Sequence, residues 1–208
     1  MTLTVEQVMT AAPVVPVMVI EKLEHAVPLA QALTKGGLKA LEITLRTPVA
    51  LDAIRAIKEA MPEAMVGAGT IVSERDLDAA LEAGASFLVS PGTTPALADA
   101  AANCGVPMLP GVASPSEAMV LLEKGFTHLK FFPAEAAGGV PMLKSIGGPL
   151  PQLTFCPTGG ISVNNARDYL ALPNVACVGG SWMAPKDLVT SESWDQIEAL
   201  ASAAAALA

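Results

Sequence analysis

Apolar residues are concentrated in eight short runs, separated by longer stretches in which polar and apolar residues mix. The runs are Val14–Ile20, Ala40–Leu45, Ala64–Gly69, Phe87–Ser90, Val106–Pro110, Thr127–Phe132, Leu153–Pro157 and Val175–Val178. Their starts lie roughly 20 to 25 residues apart, the spacing of repeated βα units. Most runs are nearly continuous rather than alternating, as expected of strands buried on both faces. Between them, Ala50, Ile54, Ile57 and Met61 recur at helical spacing, as do Leu77, Ala80, Leu81 and Gly84. Thr47-Pro48, Thr94-Pro95 and Ser114-Pro115 each read as a helix start, with a hydroxyl cap followed by proline. Ser114 with Glu117 also fits a capping box. Gly36, Gly84, Gly105 and Gly125 are expected to end helices in the left-handed conformation. The pattern predicts an α/β fold, a (β/α)₈ TIM barrel forming a single domain over residues 1–208. A flavodoxin-like open sheet is the alternative. The alanine-rich end, Ala199 to Ala208, is expected to form a last helix covering one end of the barrel.

Composition narrows the class. The 208 residues are 52% hydrophobic and 15% charged, which suits one folded core rather than a disordered chain. The mean hydropathy of +0.50 raises the question of a membrane span. A spanning helix needs roughly 20 apolar residues. The longest candidate, Ala11 to Ile20, contains Pro13 and Pro16 and stops at Glu21. Met1 to Thr10 carries no basic residue, unlike a secretory signal. A formal net charge of −8 disfavours nucleic acid and anionic membranes as partners. It leaves open an anionic small molecule held by a local positive site. Cys104, Cys156 and Cys177 form no CxxC pair, so reduced thiols and a cytoplasmic location are expected. His25 and His128 lie too far apart for metal-ligand spacing, and no metal is expected.

Barrel enzymes build their sites at the C-terminal ends of the strands. Those positions here hold Glu42, Arg46, Thr70, Pro91-Gly92, Pro110-Gly111, Lys130, Thr158-Gly159-Gly160 and Gly179-Gly180-Ser181. Lys130 is the sharpest anomaly, a lysine inside the run His128-Leu129-Lys130-Phe131-Phe132. An apolar setting disfavours an ammonium ion and frees the amine to attack a carbonyl. The plainer alternative is an edge lysine that snorkels to water. Glu42 shares a strand face with Thr44 and is suited to shuttling protons. A structural ion pair with Arg46 is the competing role. Arg46 could hold a carboxylate in a bidentate fork, or could simply be solvated in a loop. The glycine pairs after the last two runs suit phosphate, because small residues let an anion approach backbone amides. His128, Trp182 and Trp194 read as packing residues, and Glu135 as a supporting or solvated residue.

Several motifs together resemble the 2-keto-3-deoxy-6-phosphogluconate (KDPG) aldolase family. They are Leu41-Glu42-Ile43-Thr44-Leu45-Arg46-Thr47, Val66-Gly67-Ala68-Gly69-Thr70, Lys130-Phe131-Phe132-Pro133-Ala134-Glu135 and Phe155-Cys156-Pro157-Thr158-Gly159-Gly160-Ile161. Val178-Gly179-Gly180-Ser181-Trp182 continues the match, which runs in order from about Val14 to Pro185. The resemblance implies a class I aldolase of the Entner–Doudoroff pathway, on a barrel and usually a homotrimer. It implies cleavage of KDPG to pyruvate and glyceraldehyde 3-phosphate, with 4-hydroxy-2-oxoglutarate as a second substrate of many relatives. Lys130 would form the Schiff base, with no other cofactor, and Glu42 would be the general acid/base. Arg46 and Thr70 would bind the carboxylate end. Gly159, Gly160, Gly180 and Ser181 would hold the phosphate, and Thr158 belongs to the substrate-binding set as well. Two rivals remain: a phosphosugar isomerase or synthase without a covalent lysine, and a noncatalytic barrel that binds a phosphorylated ligand.

Overall fold

A computed structural model describes residues 3–207; positions 1, 2 and 208, at the ends of the expected domain, lie outside the described residues. Helix α1 (Val5–Met9) opens on a capping box between Thr4 and Gln7. Strand β1 (Val14–Met18) follows, then a 3-10 turn at Leu23–His25 and α2 (Ala26–Lys35). The alternation continues through β2 (Ala40–Thr44), α3 (Ala50–Ala60), β3 (Met65–Gly69), α4 (Glu74–Glu82), β4 (Phe87–Val89) and α5 (Pro95–Asn103). The fifth apolar run gives two short pieces, β5 (Met108–Leu109) and β6 (Gly111–Val112), before α6 (Pro115–Glu123). Then come β7 (His128–Phe131), α7 (Gly139–Gly147), β8 (Thr154–Pro157), α8 (Ala166–Leu170), β9 (Val178–Gly180), α9 (Lys186–Thr190) and α10 (Trp194–Ala205).

Each apolar run supplies a strand. The fifth is split because Pro110 has no N–H to donate to a ladder, while Gly111 N–H donates to the Ser90 hydroxyl at 3.0 Å. The Pro110 carbonyl still accepts from Lys130 N–H at 2.9 Å. The last strand begins at Val178, where the eighth run ends; Val175 makes only an isolated parallel bridge to Phe155.

All strand pairs are parallel. One sheet has the order β5-β4-β3-β2-β1-β9 and the other β6-β7-β8. A second isolated bridge, Thr158 to Gly179, joins the region after β8 to β9. Neighbours are sequential, and the last strand lies beside the first, with Val14 opposite Val178. That order excludes the flavodoxin-like alternative, whose strand order reverses at a switch point. The result is an α/β fold with a curled parallel sheet.

The pleat explains the continuous apolar runs. Leu41, Ile43, Val66, Ala68, Leu88, Leu129, Phe131, Phe155 and Val178 point one way and join the helices in the large core. Val15, Ala40, Phe87, Val89, Leu109, Cys156 and Cys177 point the other way and pack together with Val8 and Met9 of α1. Gly67 makes room for the Phe87 ring, since a Cβ there would lie 2.4 Å from it. Burying each such large apolar side chain contributes about 1.5–3 kcal/mol.

Three local expectations need correction. Thr94 and Ser114 cap α5 and α6, the latter with the Glu117 capping box, but Thr47 caps nothing. Its hydroxyl donates instead to the Ile20 carbonyl at 2.6 Å, tying the loops after β1 and β2 together. Gly36 is right-handed (φ −70°), and Gly37 takes the left-handed position (φ +96°). Gly36 is required for close approach, because a Cβ would sit 2.4 Å from Ala201 Cβ. That contact also shows why the C-terminal helix does not cover an end of the strands: α10 packs along α2. The N-terminal ends of the strands are covered by α1, through Val8 and Met9.

Candidate active site

Alternation on β2 turns Glu42 to the inside of the curled sheet, and alternation on β7 does the same for Lys130. The two meet there, with Lys130 Nζ 3.2 Å from Glu42 Oε1. Lys130 is 4% exposed and Glu42 3%, so the pair is removed from water. The ion pair between Glu42 and Arg46 is not formed; Glu42 pairs with the lysine. Gly69 makes the arrangement possible. A Cβ there would fall 2.1 Å from Glu42 Oε1, so any other residue would displace the carboxylate. The Phe132 ring lies 5.5 Å from Lys130 Nζ, within range of a cation–π contact.

Arg46 and Thr70 follow β2 and β3 directly. Arg46 Nε donates to Thr70 Oγ1 at 3.3 Å. Thr70 has φ +64°, a left-handed conformation that a β-branched residue rarely adopts. Such strain costs on the order of 1–3 kcal/mol and persists only where neighbours enforce it. Here Leu45 N–H donates to Gly69 O at 2.8 Å, and Ile71 N–H to Val89 O at 3.1 Å, fixing the chain on both sides.

The turn after β8 has Gly159 at φ +99° and Gly160 at φ +78°. With Thr158, Gly179, Gly180 and Ser181, these residues line a cavity of about 190 Å³ that also includes Arg46 and Phe132. Phe132 is therefore shared by the cavity and the ion pair. A larger cavity, about 530 Å³, adjoins it through Val17, Val19 and Ser181. Neither cavity is lined by Lys130 or Glu42, but the smaller one is lined by Phe132, whose ring lies 5.5 Å from Lys130 Nζ, and so adjoins the ion pair.

The glycines serve protein packing first. A Cβ on Gly160 would lie 2.5 Å from Glu135 Cγ, on Gly179 2.2 Å from Thr158 Oγ1, and on Gly180 1.9 Å from Trp182. The small residues expected here for an anion thus also have a packing reason of their own. Trp182 thus packs, as expected, and Trp194 stacks edge-on to His25 at 5.8 Å. His128 Nδ1 hydrogen-bonds the Thr127 hydroxyl and takes no part in the ion pair. Glu135 accepts a hydrogen bond from the buried Tyr169 hydroxyl. Burial, and then the Glu135 carboxylate, push the Tyr169 pKa well above its usual value, so the phenol stays protonated and donates. Cys177 is likewise pushed up, first by the Cys156 thiol beside it and then by burial. All three cysteines are free. Among the described residues, no three His, Cys, Asp or Glu side chains converge as a metal site. Sequence inspection missed Gly69, Phe132 and Tyr169; only the small-residue pattern of β3 hinted at the first.

The family model described as KDPG and KHG aldolase matches residues 5–200. The chain belongs to that family. The KHG/KDPG aldolase of Escherichia coli K12 is 53% identical over 196 residues, covering 94% of this chain and 92% of that protein. Among solved structures, KDPG aldolase from Legionella pneumophila, with pyruvate captured at low pH as a covalent carbinolamine, superimposes with a TM-score of 0.95. It is 49% identical and the match covers 97% of this chain and 98% of that one. The Zymomonas mobilis ZM4 KDPG aldolase with 3-phosphoglycerate gives a TM-score of 0.91 at 47% identity, over 98% of this chain and 95% of that one.

Proposed function

We propose that this KDPG/KHG aldolase family member is a class I aldolase. It cleaves KDPG to pyruvate and glyceraldehyde 3-phosphate, and also accepts 4-hydroxy-2-oxoglutarate. The observation that carries this reading is the buried Lys130–Glu42 pair at 3.2 Å. It places an amine and a proton acceptor side by side in a water-poor interior. The pyruvate carbinolamine of the Legionella relative and the 3-phosphoglycerate of the Zymomonas relative support the two halves of the substrate.

The chemistry follows from the pair. Lys130 passes a proton to Glu42, and its free amine attacks the ketone carbon to give a carbinolamine. Glu42 gives that proton to the carbinolamine hydroxyl, which departs as water and leaves an iminium beside an ionised Glu42. Glu42 then takes the proton from the hydroxyl next to the scissile bond. The bond breaks, its electrons flow into the iminium, and the aldehyde leaves behind an enamine of pyruvate. Glu42 returns a proton to the enamine carbon, and water releases pyruvate and regenerates Lys130. No other cofactor enters these steps. Arg46 and Thr70 take the substrate carboxylate, a role supported by the fork geometry of Arg46 and its hydrogen bond to Thr70. Thr158, Gly159, Gly160, Gly180 and Ser181 take the phosphate at the mouth of the 190 Å³ cavity.

The same proposal includes the finer architecture. Pro110 joining β5 to β6, with the bridges between β8 and β9, supports a closed (β/α)₈ barrel over the whole chain as one domain. Exposed Met119, Val120 and Val163 are candidate subunit contacts for the homotrimer implied by the family resemblance, and light scattering will give the mass. No helix among the described residues is long and apolar enough to cross a membrane, and the proposed location is the cytoplasm.

The deciding experiment measures pyruvate release from KDPG and from 4-hydroxy-2-oxoglutarate side by side, with borohydride and pyruvate as a trap. Turnover with one pyruvate-derived adduct on Lys130 is expected. Pyruvate release without an adduct would mean cleavage that does not pass through Lys130, and ligand binding without pyruvate release would favour the isomerase, the synthase or the noncatalytic barrel.

A further inference from the structure

The phosphate-facing turn is held from behind by residues that line neither the cavity nor the ion pair. Ala134 N–H donates to Thr158 O at 2.8 Å, and Glu135 N–H donates to Gly159 O at 3.1 Å. These bonds strap the segment after β7 to the turn after β8. The Glu135 side chain then fills the space where a Gly160 Cβ would be, since that Cβ would lie 2.5 Å from Cγ and 2.7 Å from Cβ of Glu135. Its carboxylate is held by the Tyr169 hydroxyl, from a side chain 0% exposed on α8. On the other flank, Asn165 Nδ2 donates to Gly160 O at 3.0 Å, and Asn165 Oδ1 accepts from Ser162 N–H at 2.8 Å.

We propose that Glu135 and Tyr169 form a positioning pair that sets the conformation of the Thr158–Gly160 turn, and so tunes how tightly the enzyme grips the phosphorylated end of its substrate. The inference rests on the phosphate assignment made above. Two successive left-handed glycines make a turn with many accessible conformations. Only one of them aims its amides at a single anion. The turn carries no large side chain of its own to choose that conformation, so the choice is made by what presses on its outer face. Glu135 is that group. A glutamate whose carboxylate were free to rotate in water would press weakly. Tyr169, rooted in the core, fixes it. The burial that keeps the phenol protonated keeps Tyr169 the donor in this contact.

The test uses the full-length enzyme and four variants: Tyr169→Phe, Glu135→Ala, Glu135→Gln and Tyr169→Phe/Glu135→Ala. Tyr169→Phe keeps the buried ring and removes only the donor. It should lower kcat/KM for KDPG about tenfold, in the range set by one hydrogen bond to a charged group. Inhibition by inorganic phosphate should weaken in parallel. Turnover of 4-hydroxy-2-oxoglutarate and borohydride trapping of pyruvate should stay near wild type. Glu135→Ala should match Tyr169→Phe, the double variant should be no worse than either, and Glu135→Gln, which still accepts from the phenol, should be close to wild type. Wild-type phosphorylated preference that survives intact in Tyr169→Phe overturns the proposal alone. Equal losses on both substrates, with a lowered Tm, also overturn it, because the pair would then be a fold contact. Absence of any preference in the wild-type enzyme removes the phosphate assignment itself, and this inference with it.

Discussion

The two ends of the site are built from different materials. In the proposed site, the carbonyl end rests on side chains: Lys130 and Glu42 on two strands, buried to a few per cent exposure and in direct contact. The proposed phosphate end rests mostly on backbone: two left-handed glycines after β8, and Gly179-Gly180 of β9 with Ser181 just after it. The first arrangement can be destroyed by changing one functional group without touching the fold. The second has only the Thr158 and Ser181 hydroxyls to remove, and is altered mainly through whatever holds its backbone in shape. Substrate reactivity and substrate preference should therefore respond to separate sets of substitutions.

The largest expected effect is at the carbonyl end. Lys130→Ala should reduce turnover of both substrates by about 10⁴-fold or more, as for loss of a covalent nucleophile, and abolish pyruvate trapping. Residual cleavage near the wild-type rate would end the division between the two regions at once. Glu42→Gln keeps the shape and removes the titrating oxygen. Its turnover should drop about 10² to 10⁴-fold while imine trapping falls much less. Trapping that declines as steeply as turnover would show that Glu42 has no separate proton-transfer role. Gly69→Ala is more pointed, because it changes no reacting group. Its Cβ would displace the Glu42 carboxylate, 2.1 Å away, and a misplacement of that kind should cost about 10²-fold in kcat. Equal rates for Gly69→Ala and wild type would mean that the 3.2 Å contact does not govern proton transfer. The smallest effect belongs to the phosphate end. Ser181→Ala, at the cavity rim, should lower kcat/KM by about three- to tenfold on KDPG only. A matching loss on 4-hydroxy-2-oxoglutarate would blur the comparison.

The carbonyl end was the more legible from sequence, for the same reason that it is easier to break. A lysine and a glutamate inside apolar runs are rare enough to be noticed without knowing where they point. The eight runs also gave the strands, because parallel strands covered on both faces leave long apolar stretches. Other features were hidden by long-range geometry. Thr47 looked like a cap, but its hydroxyl was claimed by Ile20, a partner from another loop. Val175 looked like strand, yet the ladder begins only at Val178. Gly160 read only as room for an anion, and the sequence did not show that a Cβ there would also meet Glu135. Glu135 and Tyr169 are 34 positions apart, and neither residue type is unusual enough to suggest the other.

The pairing of β1 with β9 has a consequence for the making of the protein. Strand β1 leaves the ribosome well before its partner, because seven strands lie between it and Val178–Gly180. Until then one edge of β1 has no ladder partner. An exposed strand edge is a template for pairing with other chains, and long-range strand pairing is slow because the loop between must close first. The segment Val14-Val15-Pro16-Val17-Met18 limits the hazard by its length, since five residues leave few unpaired groups on that edge; Pro16 adds nothing there, because Val178 N–H donates to Pro13 O and alternation turns Pro16 toward β2. In the finished molecule that same proline sits opposite Gly180, in the final rung of the register. Few rungs are therefore open to another chain during the wait for β9, and the hazard ends when Val14, Val15 and Pro16 take Val178, Gly179 and Gly180 as partners.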